Sequence, residues 1–388
     1  MYTVILKKNE EKKILNGYPW VYANEVSRVE GKDKQGSVVR VVGFDGRFIG
    51  LGFINHLSKI LVRMLTLKEE EIDRNFFFDR INIANEYRKE LGYLNNYRVV
   101  FGESDYLPGL IVDKYGDYLS VQFLALGMEI RKQLIVDILV EIFNPKGIYE
   151  RSDVSVRKKE GLEEVKGILY GGEFDTTVEI VENGLKMLVD LENGQKTGYF
   201  LDQKENRDNV KYYVKDRTVL DCFCNVGGFS LCSAKYGAKQ VTAVDISQTA
   251  LDLVNKNANL NGLKINTVCA DVFELLREYK KSGEKFGVVI LDPPAFTKSA
   301  DTVKDAVRGY KDINILGLKL VEKGGYLITC SCSQHLSVQG FLNMINESVF
   351  ESKVKAKLVE LRTQGKDHAT AIGTNTGLYL KVAVLKII

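Results

Sequence analysis

Asp221, Asp245, Asp271 and Asp292 each stand at the end of a strand-like run, and Cys332 ends a fifth. Carboxylates accept hydrogen bonds from hydroxyl and amino groups, and a thiol becomes a nucleophile once its pKa falls. A single aspartate after a strand commonly just caps the next helix. Four in phase outline instead a ligand crevice at the carboxyl ends of strands. Asp245 follows Asp221 by 24 residues, close to the separation at which an acid reaches a ribose hydroxyl pair in such folds. Asp292 opens Asp-Pro-Pro-Ala-Phe, residues 292–296. Its prolines fix a turn and remove backbone donors, leaving Asp292 as an acceptor. Phe296 offers either a ring for a flipped-out base or a simple core contact. Cys332 sits in Thr-Cys-Ser-Cys-Ser-Gln-His, 329–335. A thiolate there could add to C6 of a cytosine and make C5 nucleophilic enough to take a methyl group. A buried, inert thiol is the competing reading.

The elements that must position these groups read as a doubly wound α/β sheet. Val219 and Leu220 close a strand, and Gly227-Gly228 open a helical pattern through Leu231 to Tyr236. Strands follow at Gln240–Asp245, Lys264–Ala270, Phe286–Leu291 and Gly325–Ser331, with a helix over 249–261. The glycine turn lacks the first glycine of G-x-G-x-x-G, which argues against a dinucleotide pyrophosphate. Asn193 to Gln203, rich in glycine, aromatic and polar residues, suits a loop lying across a ligand, and Asn206 to Tyr213 reads as a helix.

Upstream, residues 1–67 read as β: strands at Val4–Leu6, Ser37–Val42, Phe48–Ile54 and Ile60–Leu65, punctuated by glycines 31, 36, 43, 46, 50 and 52. A short helix spans Glu10–Asn16, and Trp20 serves either a nucleic-acid surface or the core. Glu69 to Leu91 reads as a charged helix. An α+β module follows, with strands at Arg98–Phe101, Tyr118–Leu124 and Gly147–Arg151 and a helix over 128–143. Arg157-Lys158-Lys159 is expected to be a solvated loop. Residues 1–67 carry 11 Lys/Arg against 6 Asp/Glu, residues 68–180 carry 15 against 22, and the remainder 28 against 23. Basic modules flanking an acidic one suit a polyanion contacted at two places. With 45% hydrophobic and 27% charged residues, no membrane-length apolar run and no signal-peptide core, a cytoplasmic protein is expected. The six cysteines all fall after residue 221. Cys222-x-Cys224 and Cys330-x-Cys332 are spaced more tightly than usual zinc pairs, so no metal is expected.

Taken together, several motifs resemble one family. They are Tyr-Pro-Trp-Val-Tyr (18–22), Gly-Glu-Ser-Asp-Tyr-Leu-Pro-Gly (102–109), Arg-Ser-Asp-Val-Ser-Val-Arg-Lys-Lys-Glu-Gly (151–161), Lys-Thr-Gly-Tyr-Phe-Leu-Asp-Gln (196–203), Asp-Pro-Pro-Ala-Phe, Arg-Gly-Tyr-Lys-Asp-Ile-Asn (308–314) and Ser-Cys-Ser (331–333). Over essentially its whole length the chain resembles the PUA-domain, S-adenosylmethionine-dependent 23S ribosomal RNA (cytosine-C5) methyltransferases of the RlmI type. The resemblance implies a PUA-like β-barrel over 1–70, a central α+β domain over 71–178 and a class I, Rossmann-like methyltransferase domain over 179–388. It implies S-adenosylmethionine as cofactor and RNA, most naturally 23S ribosomal RNA, as partner, with no membrane and no metal; a homodimer is compatible. By motif position Asp221 and Phe223 would flank the methionine part, Asp245 would hold the ribose and Asp271 the adenine amino group. Asp292 would sit beside the methyl group. Thr197, Phe200, Gln203, Arg207, Gly227, Ile246, Val272 and Pro293 complete the expected cofactor set. Phe296 and Lys298 would meet the base, and Cys332, with Asp292, would carry the chemistry. Ala295 stands where many RNA cytosine-C5 methyltransferases have a second cysteine. Asp292 or a water is then left as the base. Two alternatives stay open: a base-nitrogen methyltransferase using Asp-Pro-Pro-Ala-Phe without a nucleophile, and a non-catalytic RNA-binding assembly factor.

Overall fold

The computed structural model describes residues 2–32, 34–296, 303–374 and 377–388. The chain divides into two compact units: Met1–Ile180, Val189–Leu201 and Lys366–Gly377 form the first, and Val181–Leu188, Asp202–Gly365 and Leu378–Ile388 the second.

The first unit opens with β1 (Thr3–Leu6), β2 (Trp20–Tyr22), β3 (Val26–Glu30), β4 (Val38–Val42), β5 (Phe48–Ile54) and β6 (Ile60–Thr66). They pair in the order β2-β6-β5-β4-β1-β3. Apolar side chains from alternate positions, among them Val4, Leu6, Val39, Val41 and Val62, fill one core with Ile14 of the short helix. Register shifts in four of the pairings mark bulges that bend the sheet around that core. Of these strands, β2 and β3 escape the pattern reading, one being short and the other carrying Ser27, Arg28 and Glu30. Gly50 and Gly52 are not turn punctuation. They lie inside β5, where a Cβ would come within 2.3 Å of the Thr66 carbonyl and 2.5 Å of the Arg63 carbonyl, so glycine lets β5 approach β6.

The same unit continues with β7 (Asn96–Phe101), β8 (Leu110–Tyr115), β9 (Tyr118–Phe123), β10 (Gly147–Ser152) and β11 (Val165–Tyr170), ordered β11-β10-β9-β8-β7. The parallel β9–β10 pair needs a crossover, and helix Lys132–Phe143 supplies it. The charged helix begins at Arg74, because Asp73 caps it by accepting from the Phe76 amide at 3.0 Å. The stripe over 128–143 is split into helices Leu126–Glu129 and Lys132–Phe143. Arg157 corrects the solvated-loop expectation. It is 1% exposed, pairs with Glu129 at 2.8 Å and donates to the carbonyls of Phe123 and Glu163, so its charge is matched inside the unit. Lys158 and Lys159 remain exposed. A hairpin, β12 (Thr177–Glu182) and β13 (Leu185–Asp190), turns at Asn183-Gly184, and its residues Val181–Leu188 belong to the second unit.

The second unit is a seven-stranded sheet: β14 (Thr218–Cys222), β15 (Gln240–Asp245), β16 (Asn266–Cys269), β17 (Phe286–Leu291), β18 (Val321–Ser331), β19 (Ala356–Arg362) and β20 (Lys381–Ile387). Its order is β16-β15-β14-β17-β18-β20-β19. The five predicted strands are all parallel; β14 and β17, in the middle of the sheet, are buried almost throughout, whereas β16, at its edge, reads Asn-Thr-Val-Cys and is partly exposed. Only β20 runs antiparallel to its neighbours β18 and β19. Strand order reverses at β14, which lies between β15 and β17, and that reversal opens a crevice at the carboxyl ends. Helices Val303–Leu320 and Val338–Ser352 pack on one face, with Tyr310, Ile313, Phe341 and Met344 buried against Leu220, Val289 and Leu327. Among the described residues no helix is long and apolar enough to cross a membrane.

Candidate active site

Asp221 lies at the bottom of the crevice on β14, fully buried. Its Oδ2 accepts from the Ser230 hydroxyl at 2.6 Å, while its Oδ1 meets no donor among the described residues. Burial pushes its pKa up to about 7; the Ser230 hydrogen bond opposes this, and nearby Asp292 and Asp245 add to it. A buried carboxylate oxygen without a partner is costly, and a cationic donor entering the crevice would relieve it.

The loop after β14 is bent through left-handed conformations at Phe223 (φ 63°), Asn225 (φ 51°) and Gly227 (φ 88°). Two of these are not glycine, so the loop holds strain of the kind that collects at functional sites. Asp245 stabilises it. One carboxylate oxygen accepts from the Asn225 amide at 2.9 Å, the other from the Ser247 amide at 2.9 Å. Gly227 begins helix Gly228–Lys235, and a Cβ there would press on Val254 at 3.1 Å. Beyond Asp245, Ile246 is 72% exposed.

Asp292 follows β17, half-buried, and accepts from the Gln203 amide nitrogen at 3.1 Å. Gln203 is buried and oriented by Asn206, whose amide donates to its carbonyl oxygen at 2.8 Å. Pro293 is buried, and Phe296 packs on Tyr310, ring centres 4.5 Å apart, and on Phe273 at 6.0 Å. Tyr310 bonds the Ser333 hydroxyl at 2.8 Å, which ties the Asp-Pro-Pro-Ala-Phe turn to the turn after β18.

That turn separates the two candidate thiols. Cys330 is fully buried, and burial pushes its pKa well up; Asp292 adds to the effect. Cys222 and Cys224 are likewise buried, with thiols pushed up by burial. Cys332, one residue past the end of β18, is partly exposed. Lys381, the first residue of β20, is 1% exposed, and its ammonium donates to the carbonyls of Ser333 at 2.7 Å and Tyr379 at 2.8 Å. Burial lowers its pKa to about 8, against the favourable charge of Cys332. Sequence reasoning missed Lys381: a single lysine opening an apolar strand carries no local sign that it will meet the residue-332 turn.

The remaining predicted residues separate by role. Asp271 is exposed and caps helix Val272–Ser282 through the Glu274 amide at 3.1 Å, and Val272 turns its side chain into the core. Arg207 is buried in a two-pronged pair with Glu182, at 2.6 and 2.9 Å. Thr197 and Phe200 belong to the first unit, where the Thr197 hydroxyl donates to Asp113 at 2.5 Å and the Phe200 ring lies 4.5 Å from the Lys196 ammonium. Lys298 lies outside the described residues. Among the described residues no group of three or more His, Cys, Asp or Glu side chains could hold a metal ion.

Residues 163–360 match the S-adenosylmethionine-dependent methyltransferase family, and residues 4–67 match the PUA-like domain. A ribosomal RNA large subunit methyltransferase I from Aeromonas salmonicida is 43% identical over 390 residues, covering 99% of this chain and 98% of its own. Two solved structures, each covered in full, share the fold at 22% identity. One is a candidate SAM-dependent methyltransferase from Streptococcus mutans (TM-score 0.84), the other a candidate methyltransferase complexed with SAH (TM-score 0.86).

Proposed function

We propose a reaction from one premise: the chain belongs to the S-adenosylmethionine-dependent methyltransferases, in the family of the ribosomal RNA large subunit methyltransferases I. The reaction is methylation of C5 of a cytosine in ribosomal RNA, most naturally the large-subunit 23S RNA, through a covalent bond between Cys332 and C6. In this reading residues 1–70 form the PUA-like RNA-binding domain, 71–178 the central domain and 179–388 the methyltransferase domain.

The crevice residues suit the cofactor. The unpartnered Oδ1 of Asp221 would accept from the methionine ammonium. Asp245 has only acceptors to offer, which fits two ribose hydroxyls. The exposed side chain of Ile246 would be covered by the adenine ring, and Asp271 keeps an oxygen for its amino group. When bound, the cofactor supplies an electrophilic methyl group; this chain's own side chains do the rest. The Cys332 thiolate adds to C6 and makes C5 an enamine-like nucleophile. After C5 is methylated, its proton leaves to Asp292 or to water, and the bond to Cys332 breaks to restore the ring and the thiolate. Gln203 keeps Asp292 oriented for this role.

The observation that carries the reading is the contrast between the two thiols: Cys332 is partly exposed at the strand end while Cys330 is sealed in the sheet. RNA containing 5-fluorocytidine tests it, because a fluorine at C5 cannot leave as a proton does. Wild type should form a denaturant-stable adduct whose crosslinked peptide contains Cys332. A wild-type protein that methylates RNA yet forms no such adduct would refute the covalent route and favour direct methylation of a ring nitrogen.

A further inference from the structure

The motifs 18–22 and 102–109 are not used by the methyl-transfer site. In the first unit both line one cavity of about 710 Å³, together with helix Arg74–Glu90, the end of β6 and residues 369–371. Its walls are fixed by buried charge pairs. Glu103 accepts from the Trp20 indole at 2.9 Å and from Arg63 at 2.9 Å. Arg88, fully buried, grips Asp105 at 2.6 and 2.8 Å and the Asp367 carbonyl at 2.8 Å. The cavity is therefore held open by the fold.

Its exposed surface is apolar and aromatic. Tyr106 is 61% exposed and Ile83 67%. Tyr106 also holds a left-handed backbone (φ 57°, ψ 28°), unusual for a bulky side chain. Arg80 maintains it by donating to the Tyr106 carbonyl at 3.0 Å, with its guanidinium between the Phe76 ring (4.3 Å) and the Tyr106 ring (5.6 Å). The two acids on the wall are spent on Trp20, Arg63 and Arg88, and nearby Glu70 accepts from Thr66 at 2.5 Å. Lys68 and Arg80 are the cationic side chains of the lining, with the Glu70 carboxylate acting on Arg80.

We propose that this cavity takes one unpaired base of the RNA substrate, stacked on Tyr106, with the neighbouring phosphates against Lys68 and Arg80. The proposal rests on the RNA reading above. Cavities of this volume enclose a ligand of nucleotide size. Single-stranded RNA is recognised by stacking on aromatic rings and guanidinium planes, with cations on the backbone. The lining offers both: the Tyr106 ring beside the Arg80 guanidinium, and the Lys68 and Arg80 cations to meet phosphate.

Binding of a short fluorescein-labelled single-stranded RNA to the full chain, read by anisotropy, tests this. Tyr106→Gly removes the ring while suiting the left-handed backbone, so the variant keeps its fold; an unchanged melting midpoint and unchanged S-adenosylhomocysteine affinity verify that. Loss of one stacked base weakens binding roughly 5- to 150-fold by alanine-type truncation. Tyr106→Phe should bind as wild type, and Lys68→Gln should lower the salt slope of log affinity by about 0.7. A 4-thiouridine-substituted version of the same RNA should crosslink to the peptide containing Tyr106. If Tyr106→Gly binds within two-fold of wild type and crosslinks map elsewhere, the proposal is overturned and the cavity passes to an apolar side chain of a protein partner. If wild type binds no RNA, the RNA reading and the proposal fall together, whereas wild-type binding without sensitivity at Tyr106 overturns the cavity alone.

Discussion

Asp221→Asn separates the cost of the crevice from its use. The carboxyl pKa rises on folding from 3.8 to about 7, chiefly through burial. Between those values the folded protein keeps a proton that the unfolded chain has released, so this group's contribution to stability falls as pH rises through that window. By neutral pH the ionised carboxylate costs on the order of 4 kcal/mol, taking 1.36 kcal/mol for each pKa unit. Asparagine removes that charge while its carbonyl still accepts from Ser230. The new amide hydrogens lack an acceptor, at about 1–3 kcal/mol. The cofactor-free variant should therefore be more stable than wild type by about 1–3 kcal/mol at pH 7.5, and about equal to or below it near pH 4. For a domain of this size each kcal/mol moves the melting midpoint by about 2–4 °C. Cofactor binding should move the other way. A charge-assisted hydrogen bond to the methionine ammonium is worth about 1.5–3 kcal/mol, so calorimetry should show S-adenosylhomocysteine bound roughly 10- to 150-fold more weakly. A variant that binds it as tightly as wild type, or whose stability gain is the same at pH 4 and 7.5, would overturn this role for the Asp221 carboxylate.

Other perturbations test neighbouring parts of the site. Cys332→Ala should abolish methylation of RNA while leaving S-adenosylhomocysteine affinity intact by calorimetry, whereas Cys330→Ala should keep activity and lose about 1 kcal/mol or more of stability as a cavity opens. Lys381→Met should raise the pH at which kcat/KM begins to climb, since a nearby cation favours the ionised form of the Cys332 thiol. Its own pKa of about 8, lowered by burial, means that wild-type stability from this group rises with pH between 8 and 10.5, and denaturant titrations of Lys381→Met should lose that rise. Glu182→Ala leaves Arg207 buried without its counter-ion and should cost about 3–5 kcal/mol in urea unfolding.

The parallel sheet was legible because buried apolar runs such as Val219–Leu220 and Val288–Leu291 each lead into an aspartate, whereas β16, Asn-Thr-Val-Cys at the edge, carries a weaker signal. Asp221, Asp245, Asp292 and Cys332 were placed at strand ends by pattern alone, and the structure puts them there. Other features depend on partners distant in sequence. Lys381 meets the residue-332 turn only because β20 inserts antiparallel beside β18, where Lys381 pairs with Ser331. Arg157 reads as surface in a basic triplet, yet Glu129 and two carbonyls draw it inside. The left-handed backbone at Phe223 leaves no trace in residue type, unlike that at Asn225 and Gly227, whose residue types favour it, and Asp245 holds the loop there through the Asn225 amide. Trp20, weighed between surface and core, is half-buried and spends its indole on Glu103, a residue 83 positions away.

Nucleoside mass spectrometry of 23S ribosomal RNA, from cells with and without the gene, decides between methylation at C5 and at a ring nitrogen. Loss of one 5-methylcytidine, restored by the wild-type gene and not by Cys332→Ala, is the expected result. Unchanged 5-methylcytidine with a methylated purine missing instead would contradict it, leaving Cys332 an ordinary thiol at a strand end.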